Sequence, residues 1–282
     1  LSSAAFGGAT SRSYNIAVDT NTGGVYVLGV STFSSGFMDT ILVRYNFNLA
    51  FLSSATVEGG LTYTNSSYGL DVDRATGDIY ASGTNNAMKR YSSQLLLKTT
   101  HEHRRASALA VKDTANVFAA DGGMTFNTRR LDSTPLGIVE EPTFGGQGIA
   151  FDNAGNLWMV IAESNVFRLS KFTAGGAFVS STTLPDASGR GRWTIAFDAS
   201  NNAYAAGTSS GPSTVGIDMT VYKVNAAGGV AATKAFNSGT YNLNEYAVAS
   251  DTDSSGNIWI TGGIQTGPKI GSGDDSYEPA AL

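Results

Sequence analysis

The sequence predicts an all-β fold assembled from six repeats of four short strands. Three observations carry that prediction: the composition, the absence of a helical period, and an internal repeat. Of 282 residues, 34 are Gly, 31 Ser, 29 Thr and 19 Asn, while charged residues make up only 15%. Small polar residues between short apolar runs describe strands joined by many turns. The 14 Phe, 12 Tyr and 3 Trp supply enough apolar surface for a core, which argues against disorder. No window sustains helix formers at a period of 3.6, so a helical bundle is excluded.

The repeat is clearest as a hairpin. It opens with Ile16-Ala17-Val18-Asp19 followed by Gly24-Val25-Tyr26-Val27-Leu28-Gly29. It recurs as Leu70 to Asp73 with Gly77 to Gly83, and in weaker form as Leu109 to Lys112 with Asn116 to Ala120. Three further copies follow: Ile149 to Asp152 with Gly155 to Val160, Ile195 to Asp198 with Asn201 to Gly207, and Val248 to Asp251 with Gly256 to Gly262. Asp and Asn bond their own backbone in turns and Gly supplies positive φ, so each Asp/Gly/Asn cluster reads as a tight turn. A third strand is expected at Thr40–Tyr45 and Met219–Val224, and a fourth after a Gly-rich turn, as at Val230–Phe236.

The anchor positions Asp19, Asp73, Lys112, Asp152, Asp198 and Asp253 follow one another at 54, 39, 40, 46 and 55 residues. Their mean, about 47, falls in the ~40–50 residues of a propeller blade. The sequence therefore predicts one domain over 1–282, a six-bladed β-propeller of four-stranded antiparallel blades starting near residues 13, 67, 106, 147, 193 and 246. Leu1 to Gly8 resembles the fourth strand at Leu52 to Gly60, whereas the sixth unit stops at Ala280-Ala281-Leu282 within its third strand. The N-terminal strand, residues 1–8, is thus expected to complete the last blade and close the ring.

The segment Asp39-Thr40-Ile41-Leu42-Val43-Arg44-Tyr45, the Gly59-Gly60 step and the Tyr68–Gly83 hairpin resemble the SBBP β-propeller repeat. That repeat reads as a D-[AI]-x-[VL]-x-[KR] strand, a Gly-Gly step, and an apolar-Asp-x-x-Gly-Asn-x-Tyr hairpin. The likeness spans nearly the whole chain and is best in units one, two, five and six. Unit four, Gly148 to Trp158, is equally similar to NHL, streptogramin-lyase and lactonase-type propellers. The resemblance implies an exported bacterial protein without an assigned activity.

The repeated Asp turns lack the bidentate Glu of an EF-hand loop and read as turn formers. The connections between blades are more varied. At the start of successive first strands stand Tyr14, Tyr68, Ser107, Gln147, Trp193 and Tyr246, four of them aromatic, and rings at a channel rim can stack on a ligand. Nearby lie Arg104, Arg105, Arg190 and Arg192, whose guanidinium forks pair bidentately with carboxylate, sulfate or phosphate. These residues form the expected ligand-binding set, for a protein or glycan partner. Asp274, Asp275 and Glu278 in the last loop offer oxygen ligands for calcium, the one cofactor the sequence suggests.

No Ser–His–Asp order, P-loop or HExxH is present, and absent Cys excludes disulfides and thiolate metal sites. Both histidines lie in His101-Glu102-His103, short of the three ligands of a catalytic zinc. The net charge of −5 excludes a general nucleic-acid binder, and no apolar run approaches the ~18 residues of a membrane span. A start at Leu1 with no n-region or h-region reads as a processed or excised product. The expected function is a non-enzymatic extracellular, cell-surface or periplasmic binding or structural module, with homo-assembly open to it. The competing expectation is a metal-dependent lyase or lactonase-type hydrolase with its site at the channel.

Overall fold

The structure, a computed structural model, describes residues 10–32, 37–61, 69–83, 87–102, 108–113, 116–120, 129–130, 148–163, 166–187, 193–209, 218–236, 245–253, 256–265 and 277–281. Every regular element among them is a strand. The first sheet is β1 (Thr10–Asp19), β2 (Gly24–Thr32), β3 (Met38–Asn46) and β4 (Phe51–Leu61). The second is β5 (Leu70–Asp73), β6 (Asp78–Ser82), β7 (Ala87–Tyr91) and β8 (Leu97–Glu102). The third has β9 (Ala108–Asp113), β10 (Asn116–Ala120) and β11 (Arg129–Arg130). The fourth is β12 (Ile149–Phe151), β13 (Leu157–Glu163), β14 (Val166–Phe172) and β15 (Phe178–Thr183). The fifth is β16 (Thr194–Phe197), β17 (Ala203–Ser209), β18 (Asp218–Val224) and β19 (Val230–Phe236). The sixth has β20 (Glu245–Thr252), β21 (Ile258–Gln265) and β22 (Tyr277–Ala281).

Strand order follows chain order in every sheet, and all pairings are antiparallel. The expected third strands at Thr40–Tyr45 and Met219–Val224 and the fourth at Val230–Phe236 stand where the sequence put them. The blade count differs from the expectation of six. Four sheets carry four strands and two carry three. In the third unit the degenerate sequence after Ala120 yields only the two-residue β11 among the described residues. In the sixth, β22 ends at Ala281, and the closing strand expected over residues 1–8 lies outside the described residues.

The chain divides into two compact units, one holding the first three sheets and one the last three. Within each, the first strands of successive sheets lie side by side, β1 by β5 by β9 and β12 by β16 by β20. The core lies between sheets. Tyr26, Leu28, Leu42, Val72 and Ile79 fill the space between the first and second. Trp158, Leu169, Trp193, Phe197 and Tyr222 fill that between the fourth and fifth. Alternate residues of each strand face a neighbouring sheet, so the two-residue period becomes inter-sheet packing.

Candidate functional site

Among the described residues, an extended polar network grows from the hairpin aspartates. Asp152 ends the first strand of its sheet. Its Oδ1 accepts the backbone N–H groups of Ala154 at 3.0 Å and Asn156 at 2.8 Å, an Asx turn that the residue type dictates locally. Its Oδ2 accepts the Asn156 side-chain amide at 2.9 Å and the Trp158 indole N–H at 2.9 Å. Trp158 stands cross-strand from Lys171, whose ammonium lies 3.4 Å from the carboxylate and 4.9 Å from the ring centre. One carboxylate thus holds the turn, the second strand and the third.

Asp198 repeats the arrangement. It accepts from Ser200 N at 3.0 Å, Asn202 N at 2.9 Å, the Asn202 amide at 2.8 Å and the Tyr204 hydroxyl at 3.3 Å, with Lys223 at 3.6 Å. Asp253 takes the Asn257 amide at 2.8 Å and the Trp259 indole at 3.0 Å. Burial by itself would raise the Asp152 and Asp198 carboxyls. The donated hydrogen bonds outweigh it and hold both below the ordinary aspartate value. Neighbouring turns are also tied together, by Asn153 Nδ2 donating to Asp198 O at 3.0 Å and Asn21 Nδ2 to Arg74 O at 2.6 Å.

The second sheet departs from this scheme. Asp73 accepts Ala75 N at 2.9 Å and Thr76 N at 3.3 Å through Oδ1, but its buried Oδ2 has no hydrogen-bond partner among the described residues. The position that supplies the amide in later sheets is here Asp78, a carboxylate that can only accept. Buried Asp78 instead takes Arg90 Nε at 2.6 Å and the Lys98 ammonium. The Tyr80 hydroxyl, which corresponds to that of Tyr204, is buried and likewise has no hydrogen-bond partner among the described residues. Desolvation pushes the Tyr80 phenol up, and the charges of Asp73, Asp78 and Asp113 add to that.

The residues expected to bind ligand fare unevenly. Trp193 is only 2% exposed. It stacks between Phe167 at 5.4 Å and Tyr222 at 6.0 Å, above Gly207, where a Cβ would come within 2.2 Å of the indole. It is therefore an inter-sheet core residue and presents no ring face to a ligand. Tyr14 lies in β1 at a register shift, and Tyr246 pairs with Gly263 in β20; their side chains lie outside the described set. Tyr68, Arg104, Arg105, Arg190 and Arg192 also lie outside the described residues, as do Asp274 and Asp275. Glu278 falls in β22, opposite Ile264. His101 Nε2 sits 3.0 Å from Thr99 Oγ1 on the outer strand of its sheet, and His103 is outside the described residues. Among the described residues no group of three or more His, Asp or Glu is arranged to hold a metal ion.

Sequence reading treated the aspartates as turn formers and did not join them to the aromatic and basic positions. The signal was available in Asp-x-x-x-Asn-x-[Trp/Tyr], present at Asp152, Asp198 and Asp253. The matching basic residue lies on another strand and becomes a partner only through register. No family model matches the chain, and no curated protein matches it.

Proposed function

We propose that the chain is a non-enzymatic binding or structural module of the extracellular space or cell surface, related to SBBP-type propellers. In this reading the sheets close into one ring, with residues 1–8 completing the last one, and recognition falls to the variable connections between them. One observation carries it. The carboxylates, amides and aromatic donors repeated in the last three sheets are engaged with one another, the Asn amides at 2.8–2.9 Å and the indole or phenol groups at 2.9–3.3 Å from Asp152, Asp198 and Asp253, and so serve the framework. Chemistry directed outward is then left to non-repeated segments, where Arg104, Arg105, Arg190 and Arg192 stand in the sequence.

A glycan and polyanion array tests the reading on the wild type and on a variant with all four arginines replaced by Ala. Trp193 is left intact because it belongs to the core. Binding of sulfated or carboxylated ligands that the variant loses, and that weakens above ~0.15 M salt where screening lengths fall to about 8 Å, is the expected result. Identical profiles, or no binding by either protein, overturn recognition at this face. Deleting residues 1–8 tests the ring. Cooperative melting is expected to be lost as an apolar edge is uncovered. A monomeric deletion variant with an unchanged melting temperature overturns closure.

A further inference from the structure

We propose that the exposed face of the sixth sheet carrying Asp251 and Trp259 is the receptor for β1, the first strand of the same chain. The inference rests on the closed-ring reading above. It places a seam between first strands, distinct from the outer edge that residues 1–8 are expected to complete.

Three seams between sheets follow one rule, in which the aromatic residue of a second strand covers the first strand of the next sheet. Tyr26 is buried with Leu70 and Val72, and Tyr80 with Leu109 and Val111. The Trp158 ring lies 5.9 Å from that of Phe197. Register makes Trp259 the equivalent residue of the sixth sheet, because it stands opposite Asp251 as Tyr80 does opposite Asp71 and Trp158 opposite Ala150. Tyr26, Tyr80 and Trp158 are at most 1% exposed, yet Trp259 is 55% exposed.

The converse gap lies on β1. Leu70, Leu109, Ile149 and Ile195 hold one place in their first strands and are only 4–7% exposed, whereas Ile16 at that place is 47% exposed. One aromatic ring lacks a strand to cover, and one first strand lacks its ring. Burying such a pair of apolar surfaces against each other is favourable in itself.

A polar contact fixes the register of the seam. The residue opposite the second-strand aromatic is Ala17, Ala110, Ala150 and Ala196 in four sheets, but Asp71 and Asp251 in the other two. Asp71 Oδ1 accepts the Val72 N–H at 2.8 Å, and its Oδ2 reaches into the next sheet to accept the Val111 N–H at 2.7 Å. Asp251 Oδ1 likewise accepts the Thr252 N–H at 2.7 Å, while its Oδ2 has no hydrogen bond among the described residues. Val18 stands opposite Val25 as Val111 stands opposite Val117, so the Val18 N–H is the matching donor. Both faces belong to one chain, which raises their effective concentration above that of a second copy.

The chain has no Cys, so an engineered pair has only one partner to find. Neighbouring first strands touch at a fixed offset: Thr194 Oγ1 lies 2.7 Å from Ser250 Oγ, and a Cβ on Gly69 would meet the Leu109 side chain at 2.6 Å. The same offset pairs Ala249 with Ile16. Full-length Ala249→Cys with Ile16→Cys is expected to form an intramolecular disulfide on mild oxidation, seen as a faster-migrating monomer on non-reducing gels. Ile16→Cys with Lys234→Cys, on the outer strand β19, is the control and stays reduced. Iodide quenching reads the seam without cysteines, since Trp158 and Trp193 are buried and Trp259 is the third of three tryptophans. Wild type is expected to resist quenching, and Ile16→Asp to raise the quenching constant severalfold. A cross-linked dimer assigns the face to a second copy and overturns the proposal. So does a folded double variant that forms no cross-link, or a wild type whose Trp259 is freely quenched. Deleting residues 1–8 reads strand completion alone, so an unchanged melting temperature there with the cross-link formed rejects the outer strand and keeps the seam.

Discussion

The hairpins of the second and fourth sheets begin from equivalent aspartates and reach opposite electrostatic solutions. In the fourth, Asp152 gathers two backbone amides, an Asn amide, an indole N–H and a lysine, and both its oxygens are saturated. In the second, the Asn156 position is Asp78, and the strand-three cation follows it. Arg90 binds Asp78 and leaves Asp73 with a bare oxygen. Exchanging an amide for a carboxylate removes a donor and adds a charge, so the network re-forms around the new acceptor. A repeat can thus preserve its backbone while relocating its ionic centre.

Asp152→Ala is expected to break the saturated hairpin and to have the largest effect. It leaves Trp158 Nε1, the Asn156 amide and Lys171 without their acceptor, at a cost of about 3–5 kcal/mol for a broken buried pair. Chemical denaturation measures this, and a loss below 1 kcal/mol would refute the anchoring role. Asp73→Ala, which removes only an Asx turn, is expected to cost about 1 kcal/mol.

The same anchor sets an acid limit. Folding lowers the Asp152 and Asp198 pKa values, so their stabilisation is complete above the unfolded aspartate value of about 4 and is lost as pH falls through the lower folded values. Melting temperature should drop below pH ~4, and Asp152→Asn should flatten that limb by removing the titrating group. An unchanged acid limb in the variant would remove Asp152 from the explanation.

Gly207→Ala probes packing between the fourth and fifth sheets. The new methyl would enter the Trp193 ring, and a destabilisation of about 1–3 kcal/mol is expected from overpacking. A calorimetric scan that matches wild type would show that the indole can move aside.

Asp78→Asn sharpens the comparison with a smaller effect. The introduced amide can donate to Asp73 as Asn156 does to Asp152, and Arg90 is released. A smaller loss than that of Asp78→Ala is expected, because both variants leave Arg90 and Lys98 without the carboxylate but only the amide gives Asp73 Oδ2 a donor. Equal losses in the two variants would show that the carboxylate charge, and not donor supply, governs this hairpin.

Much of the framework was legible in the chain. Strands such as Val230–Phe236 and hairpins such as Ile149–Val160 are read correctly because alternation and Asp/Gly turn chemistry act over a few residues. Trp193 was misjudged for a reason that local reading cannot remove. Its place at the start of a first strand suggests a rim, whereas Phe167, Tyr222 and Gly207, which bury it, come from three other strands. In the third unit, where the repeat is degenerate, the described residues hold a two-residue third strand.

By itself, then, the sequence determined the all-β class, the strand-by-strand order and the turns, since each depends on the conformational preferences of adjacent residues. Tertiary structure alone decided which residues became partners. Lys171 meets Asp152, Arg90 turns to Asp78, and Trp193 is buried between Phe167 and Tyr222. Those outcomes depend on register between strands and on contact between sheets, where residues tens of positions apart compete for the same donors and the same buried volume.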